Sequence, residues 1–128
     1  MKIRNLSNGR EKYETFIEYF YSTYAPHPFS RSKIIIDNKA VVELSYWDDT
    51  ILINDIFSTE RGGGRYAMNI ICSKADEYGV VLSLYAKPLD SIAGKKMKKD
   101  ELRNWYKQFG FDVEQELEDG YDMIRNPS

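Results

Sequence analysis

Cysteine and histidine are nearly absent, with one of each, Cys72 and His27, in 128 residues. A single thiol excludes a disulfide framework within the chain and leaves no thiolate set for structural zinc. One histidine adds no metal cluster, so no metal is expected. Long apolar runs are missing too: none approaches the roughly 20 residues that a membrane-spanning helix needs. The first residues also lack the charged-then-apolar pattern of a signal peptide. A soluble cytoplasmic protein without membrane contact is the expectation. The net charge of -2 gives no global pull toward nucleic acid, so anion affinity has to come from a local site, which favours a small ligand over a polymer. Linkers, repeats and low-complexity segments are absent, and the length is that of one ordinary domain, spanning 1–128.

What is present is organised around the stretch from Ile51 to Glu77: a hydrophobic strand, the run Arg61-Gly62-Gly63-Gly64-Arg65, then a helix. Three glycines permit positive φ and expose backbone N–H groups, and the helix start behind them adds the positive end of its dipole. The combination reads as a phosphate cradle, although a flexible surface turn satisfies the same local pattern.

In chain order, Met1 to Leu6 reads as a short strand, and Asn8 with Glu11 as a capping box that opens a helix. Tyr13, Phe16, Ile17, Phe20 and Tyr24 form its apolar face, and Pro26 ends it. Pro26 to Ser30 then reads as an irregular loop with a solvent-facing His27. Three antiparallel strands follow, Lys33 to Asp37, Ala40 to Trp47 and Thr50 to Phe57, joined by short turn-prone links. The third is apolar on both faces, with Ile51, Ile53 and Phe57 on one and Leu52 and Ile56 on the other, the pattern of a central strand.

A helix from about Gly64 to Tyr78 stops at Gly79, with Met68 and Cys72 as core filling, and Val80 to Ala86 returns as a parallel strand. This unit puts the glycine turn at the carboxyl end of the first strand, where ligands of such units bind. Lys87 to Lys96 is a basic loop. Leu102, Trp105, Tyr106 and Phe109 mark a third helix stopped by Gly110. Phe111 to Glu114 and Tyr121 to Arg125 form a closing antiparallel pair around Glu118-Asp119-Gly120.

Two local motifs within this order resemble the GCN5-related N-acetyltransferase (GNAT) family. Arg61-Gly62-Gly63-Gly64-Arg65-Tyr66 is similar to the family's R/Q-x-x-G-x-G/A loop, and Trp105-Tyr106-Lys107-Gln108-Phe109-Gly110-Phe111 to its aromatic-Tyr-x-x-x-Gly-Phe helix ending. The resemblance spans most of Ile51 to Arg125 and is nearest to the short acetyltransferases of phage genomes. It implies an α/β (α+β) acyl-CoA N-acyltransferase-like fold, with a mixed, mostly antiparallel sheet and helices on both faces. It implies acetyl-coenzyme A as cosubstrate, held without a metal by Gly62, Gly63, Gly64, Arg65 and Tyr66 with help from Arg61. Tyr66 stands where the family has a small residue, a position that a one-residue slip gives to Ala67. The pantetheine arm would lie where the strand ending at Phe57 splays from the strand starting at Val80, beside Ile56, Phe57 and Ser58, with a main-chain N–H there polarising the acetyl carbonyl.

Tyr106 matches the family's general acid, and a phenol suits reprotonation of an alkyl thiolate. Packing beside Trp105 is the other account of the same residue. Asp55, the one carboxylate inside the central strand, is the candidate base; a structural role, with water relaying the proton, is the alternative. The function implied is acetyl transfer to an amine of a small molecule or protein. The competing reading is a catalytically silent module of the same fold that binds another protein, a host factor if the phage resemblance holds. Nucleic-acid binding is disfavoured, and a homodimer is left open.

Overall fold

The computed structural model describes residues 2–88 and 97–128, with side chains from residue 9 onward. Its elements are α1 (Lys2–Thr23), β1 (Ala25–His27), β2 (Ser30–Ile36), β3 (Ala40–Trp47), β4 (Thr50–Ser58), α2 (Gly63–Tyr78), β5 (Leu82–Ala86), α3 (Lys99–Lys107), β6 (Asp112–Leu117) and β7 (Gly120–Arg125). One seven-stranded sheet results, in the order β1-β2-β3-β4-β5-β7-β6. Among the described residues only β4 and β5 pair in parallel; the other neighbours are antiparallel. The mixed, mostly antiparallel α/β sheet expected from the sequence is thus present.

Turn chemistry fixes the register of the first half. Asp37 and Asn38, and again Asp48 and Asp49, hold positive φ, the left-handed conformations that match a hairpin turn to the twist of its strands. Alternating apolar residues then bury one side. Phe16 and Phe20 of α1, Met68 and Ile71 of α2, and Leu82 and Met123 of the sheet are fully buried, each contributing roughly 1.5–3 kcal/mol.

Several expectations change at this level. From Lys2 on, the strand expected at Met1 to Leu6 is instead the first part of α1, so Asn8 and Glu11 lie inside that helix and do not open it. Favourable i to i+4 bonding along a continuous helix outweighs a local cap signal. The Pro26 to Ser30 loop is partly the edge strand β1, with Pro26 opposite Ile34; proline is tolerated there because an edge strand has one side without partners. The loop from Lys87 to Lys96 falls largely on 89–96, outside the described residues.

The third expected strand also differs in its faces. Glu43 lies opposite Asp55 and Leu44 opposite Ile53, so Asn54 is an extra, unopposed residue. This bulge reverses the alternation. Ile51 and Ile53 share the helix face with Ile56, while Phe57, expected beside Ile53, is carried to the opposite face next to Val41.

Contacts along β7 place the helices. Tyr121 and Arg125 are four residues apart on one strand and so share a face; the Tyr121 hydroxyl donates to Asp100 of α3, and Arg125 pairs with Asp76 of α2. On α1, Phe16 packs edge-on against Tyr78 of α2. The three helices therefore cover the same face, where the resemblance implied both. The other, open face carries Trp47, Thr50, Leu52, Ser83, Tyr85 and Asp122, a mixture that tolerates water.

Candidate functional site

The β4–β5 seam is the origin of the site. Its pairing is limited to Ile51 with Leu82, Leu52 with Ser83 and Ile53 with Leu84. Past that point β4 stays with β3 through Ser58, and β5 stays with β7 through Ala86 opposite Tyr121. The bulge at Asn54 falls at the parting and bends β4 away. A cavity of about 300 Å³ fills the opening, lined by Asn54, Asp55 and Ile56 on one side, Leu84 and Tyr85 on the other, and Tyr106 from α3. Because Leu84 and Ile56 belong to the helix face and Asp55 and Tyr85 to the open face, the cavity passes through the sheet.

A smaller groove of about 180 Å³ continues toward the glycine turn, lined by Ile56, Phe57, Ser58, Gly64, Trp105 and Tyr106. Ile56 and Tyr106 border both spaces. Together they make an elongated path from the start of α2 to the open face.

At the glycine turn, Gly62 takes φ 80°, ψ 0° as the residue before the helix, a conformation that costs glycine nothing. Gly63 is buried for a different reason: a Cβ there would lie 1.8 Å from the Lys39 carbonyl oxygen. That oxygen also accepts the Thr59 N–H at 2.9 Å, which ties the segment before the glycine turn to the β2–β3 link. The Gly63 N–H donates to the Glu60 carbonyl at 3.0 Å, and the Gly64 N–H to the Ser58 hydroxyl at 2.7 Å. The Tyr66 N–H donates to the Gly62 carbonyl at 3.0 Å, so three of the amides expected to face a diphosphate have internal partners.

The remaining residues of that run diverge. Arg61 and Gly62 are exposed at the turn. Arg65 donates to Gln108 at 2.9 Å and lies over the Phe109 ring. The Tyr66 hydroxyl donates to Asp37, so its ring is directed toward the β2–β3 turn and leaves the helix start clear. Ala67 is wholly buried in the core and does not border either space.

Tyr106 and Asp55 meet at the seam. Tyr106 is 9% exposed, and burial, then the nearby negative charge of Asp55, push its phenol up to about 12. It is therefore a proton donor throughout the neutral range. Its ring is held edge-on by Trp105 and Phe111, so packing and exposure to the cavity coexist at this residue. Asp55 Oδ2 accepts from Lys33 Nζ at 2.9 Å, and that bond raises the Lys33 ammonium above its ordinary value.

Lys33, Asn54, Leu84 and Tyr85 were not among the sequence candidates. Lys33 lies opposite Glu43, itself opposite Asp55; cross-strand pairing across three strands is the only signal that joins Lys33 to Asp55. Cys72 has the role expected of it. Buried in the core, its thiol is pushed up to about 11 by burial, which keeps it protonated and unreactive. Among the described residues no cluster of His, Cys, Asp or Glu has the geometry of a metal site, and no helix is long and apolar enough to cross a membrane.

No family model and no curated protein sequence matches the chain. Among solved structures it is similar to the anti-CRISPR protein AcrVA5, at 22% identity and TM-score 0.54, covering 72% of this chain and 94% of that one. It is similar as well to an acyl-CoA N-acyltransferase from Pseudomonas aeruginosa, at 20% identity and TM-score 0.50, covering 68% of this chain and 59% of that one. Ard1 from Thermoplasma volcanium matches at 19% identity and TM-score 0.52, covering 70% of this chain and 64% of that one. The chain spans less than two thirds of the last two. The fold is that of the acyl-CoA N-acyltransferases.

Proposed function

We propose that the protein moves an acetyl group from acetyl-coenzyme A directly to an amine of a small molecule or protein, in the cytoplasm. The observation that carries this reading is the parted β4–β5 seam, with a buried phenol and a carboxylate bordering one cavity that crosses the sheet. An extended thioester fits the path: the seam offers unpaired strand edges on β4 beyond Ile53, and the groove beside Trp105 runs to Gly64. The diphosphate would be held at the start of α2 by the amides of Gly62 to Tyr66 and by Arg61, with the Ser58 hydroxyl giving up its bond to Gly64. Acetyl-coenzyme A, when bound, supplies an activated acyl carbon and a thiolate leaving group.

The chain's own residues do the rest. Asp55, through the oxygen that Lys33 does not hold, accepts the proton released as the amine nitrogen bonds to the acyl carbon. Tyr106 gives its phenolic proton to sulfur as the carbon–sulfur bond breaks. Main-chain N–H groups of β4 past the bulge polarise the carbonyl. One proton leaves nitrogen and one reaches sulfur, so the step balances.

The second reading, a catalytically silent protein-binding module, of phage origin and acting on a host factor, is favoured by one observation: the Gly64 amide is already capped by Ser58. Calorimetric titration with acetyl-coenzyme A separates the two. Micromolar binding, followed by release of free thiol in the presence of an amine, supports transfer; absence of binding supports the module.

A further inference from the structure

On the open face a trough of about 450 Å³ lies beside the seam, bordered by Trp47, Asp48, Leu52, Glu114, Asp122 and Ile124. Leu52, Leu84 and Tyr85 border both the trough and the cavity that crosses the sheet, so the two are continuous. Among the described residues, none of the three carboxylates makes an ion pair. Among the described residues, Lys87 borders that cavity and its Nζ lies 3.4 Å from Asp119, and Lys33 is held by Asp55 at 2.9 Å. Trp47 is 69% exposed, a large apolar ring left in water at one end of the trough.

We infer that this trough docks a linear aliphatic polyamine and presents one of its amino ends to Asp55 and Tyr106; the inference rests on the transfer reading above and names its acceptor. The chemistry of the walls alternates. Leu52 and Ile124 form apolar floor for methylene segments, while Asp48, Glu114 and Asp122 receive ammonium groups along the rim. The exposed face of Trp47 attracts a further cation. An acceptor with one charge would leave most of the carboxylates uncompensated, and an anionic acceptor would be repelled.

The test is calorimetric titration of the full chain with spermidine at low salt, repeated in the Asp48→Asn, Glu114→Gln, Asp122→Asn triple variant, with acetyl-coenzyme A titrated in parallel. The trough predicts one spermidine per chain, weakened at least 10-fold in the variant and by added salt, with unchanged circular dichroism. In turnover the variant raises KM for spermidine and leaves kcat and the acetyl-coenzyme A affinity in place. Absence of spermidine binding to the unaltered protein, equal binding by the variant, or much tighter binding of pentalysine would each overturn the inference. Spermidine binding that depends on the three carboxylates, without any binding of acetyl-coenzyme A, supports the polyamine site and sinks the transfer reading instead.

Discussion

The hydroxyl of Ser58 accepts the N–H of Gly64 at 2.7 Å, so the last residue of β4 caps the helix that follows the glycine turn. Helix starts leave amides without intrahelical partners, and a serine oxygen is a preferred acceptor for them. The bond occupies the place where the proposed diphosphate would bind. On that proposal the Gly64 amide exchanges one acceptor for another when ligand enters.

Replacing Ser58 by alanine separates the two roles. Loss of the cap should cost about 1 kcal/mol, lowering Tm by roughly 2–6 °C. Acetyl-coenzyme A affinity should hold or improve, because an amide is released for the ligand. A large loss of affinity without loss of stability would show that the hydroxyl itself contacts ligand.

Gly63 and Gly64 answer differently to the same change. A methyl group at Gly63 meets the Lys39 carbonyl at 1.8 Å, so Gly63→Ala should destabilise by roughly 3 kcal/mol or more, visible as a fall in the denaturant midpoint. At Gly64 the nearest atom is the movable Ser58 hydroxyl at 3.1 Å. Gly64→Ala should fold and bind acetyl-coenzyme A more weakly, which makes it the selective probe of the turn.

Tyr106→Phe should reduce kcat by roughly 100-fold or more with little change in acetyl-coenzyme A affinity. An equal loss of both would assign Tyr106 to packing alone. Because burial pushes the phenol up to about 12, activity that needs its protonated form should show no alkaline fall from this group until pH nears that value. A descending limb near pH 10 that vanishes in Tyr106→Phe would contradict the burial argument.

Arg125 binds both oxygens of Asp76, at 2.8 and 3.0 Å, and the carbonyl of Phe109 at 2.6 Å. This joins α2, β7 and the end of α3. The guanidinium holds the Asp76 carboxyl well below its ordinary value, at about 2. A lowered carboxylate contributes stability above its unfolded value, lost as pH falls through the folded one. Stability should therefore decline between about pH 4 and pH 2, by roughly 1–2 kcal/mol after allowance for partial exposure. Asp76→Asn should lower stability at neutral pH and flatten that limb in acid denaturation.

Much of the fold was legible because local rules carried it. The spacing of Tyr13, Phe16 and Phe20 gave one helix, and Gly79 at positive φ ended another, whereas α3 stopped at Lys107, ahead of the expected Gly110. Asp48-Asp49 closed a hairpin at the expected place. Local rules failed where a distant partner decided. Pro26 joined the sheet because Ile34 was available to pair with it, and Phe57 changed face because Glu43 and Leu44 left Asn54 unmatched.

By itself the sequence determined that a strand, a glycine turn and a helix would follow one another, and that Tyr106 would ride on a helix behind a parallel return strand. Periodicity and backbone freedom act over a few residues and need no tertiary information. Only the tertiary structure decided that β4 and β5 part after Ile53, that Lys33 holds Asp55, that Ser58 caps Gly64 and that three carboxylates without an ion pair among the described residues border the open face. Those outcomes depend on which strands pair and how far, a choice made by contacts between segments tens of residues apart.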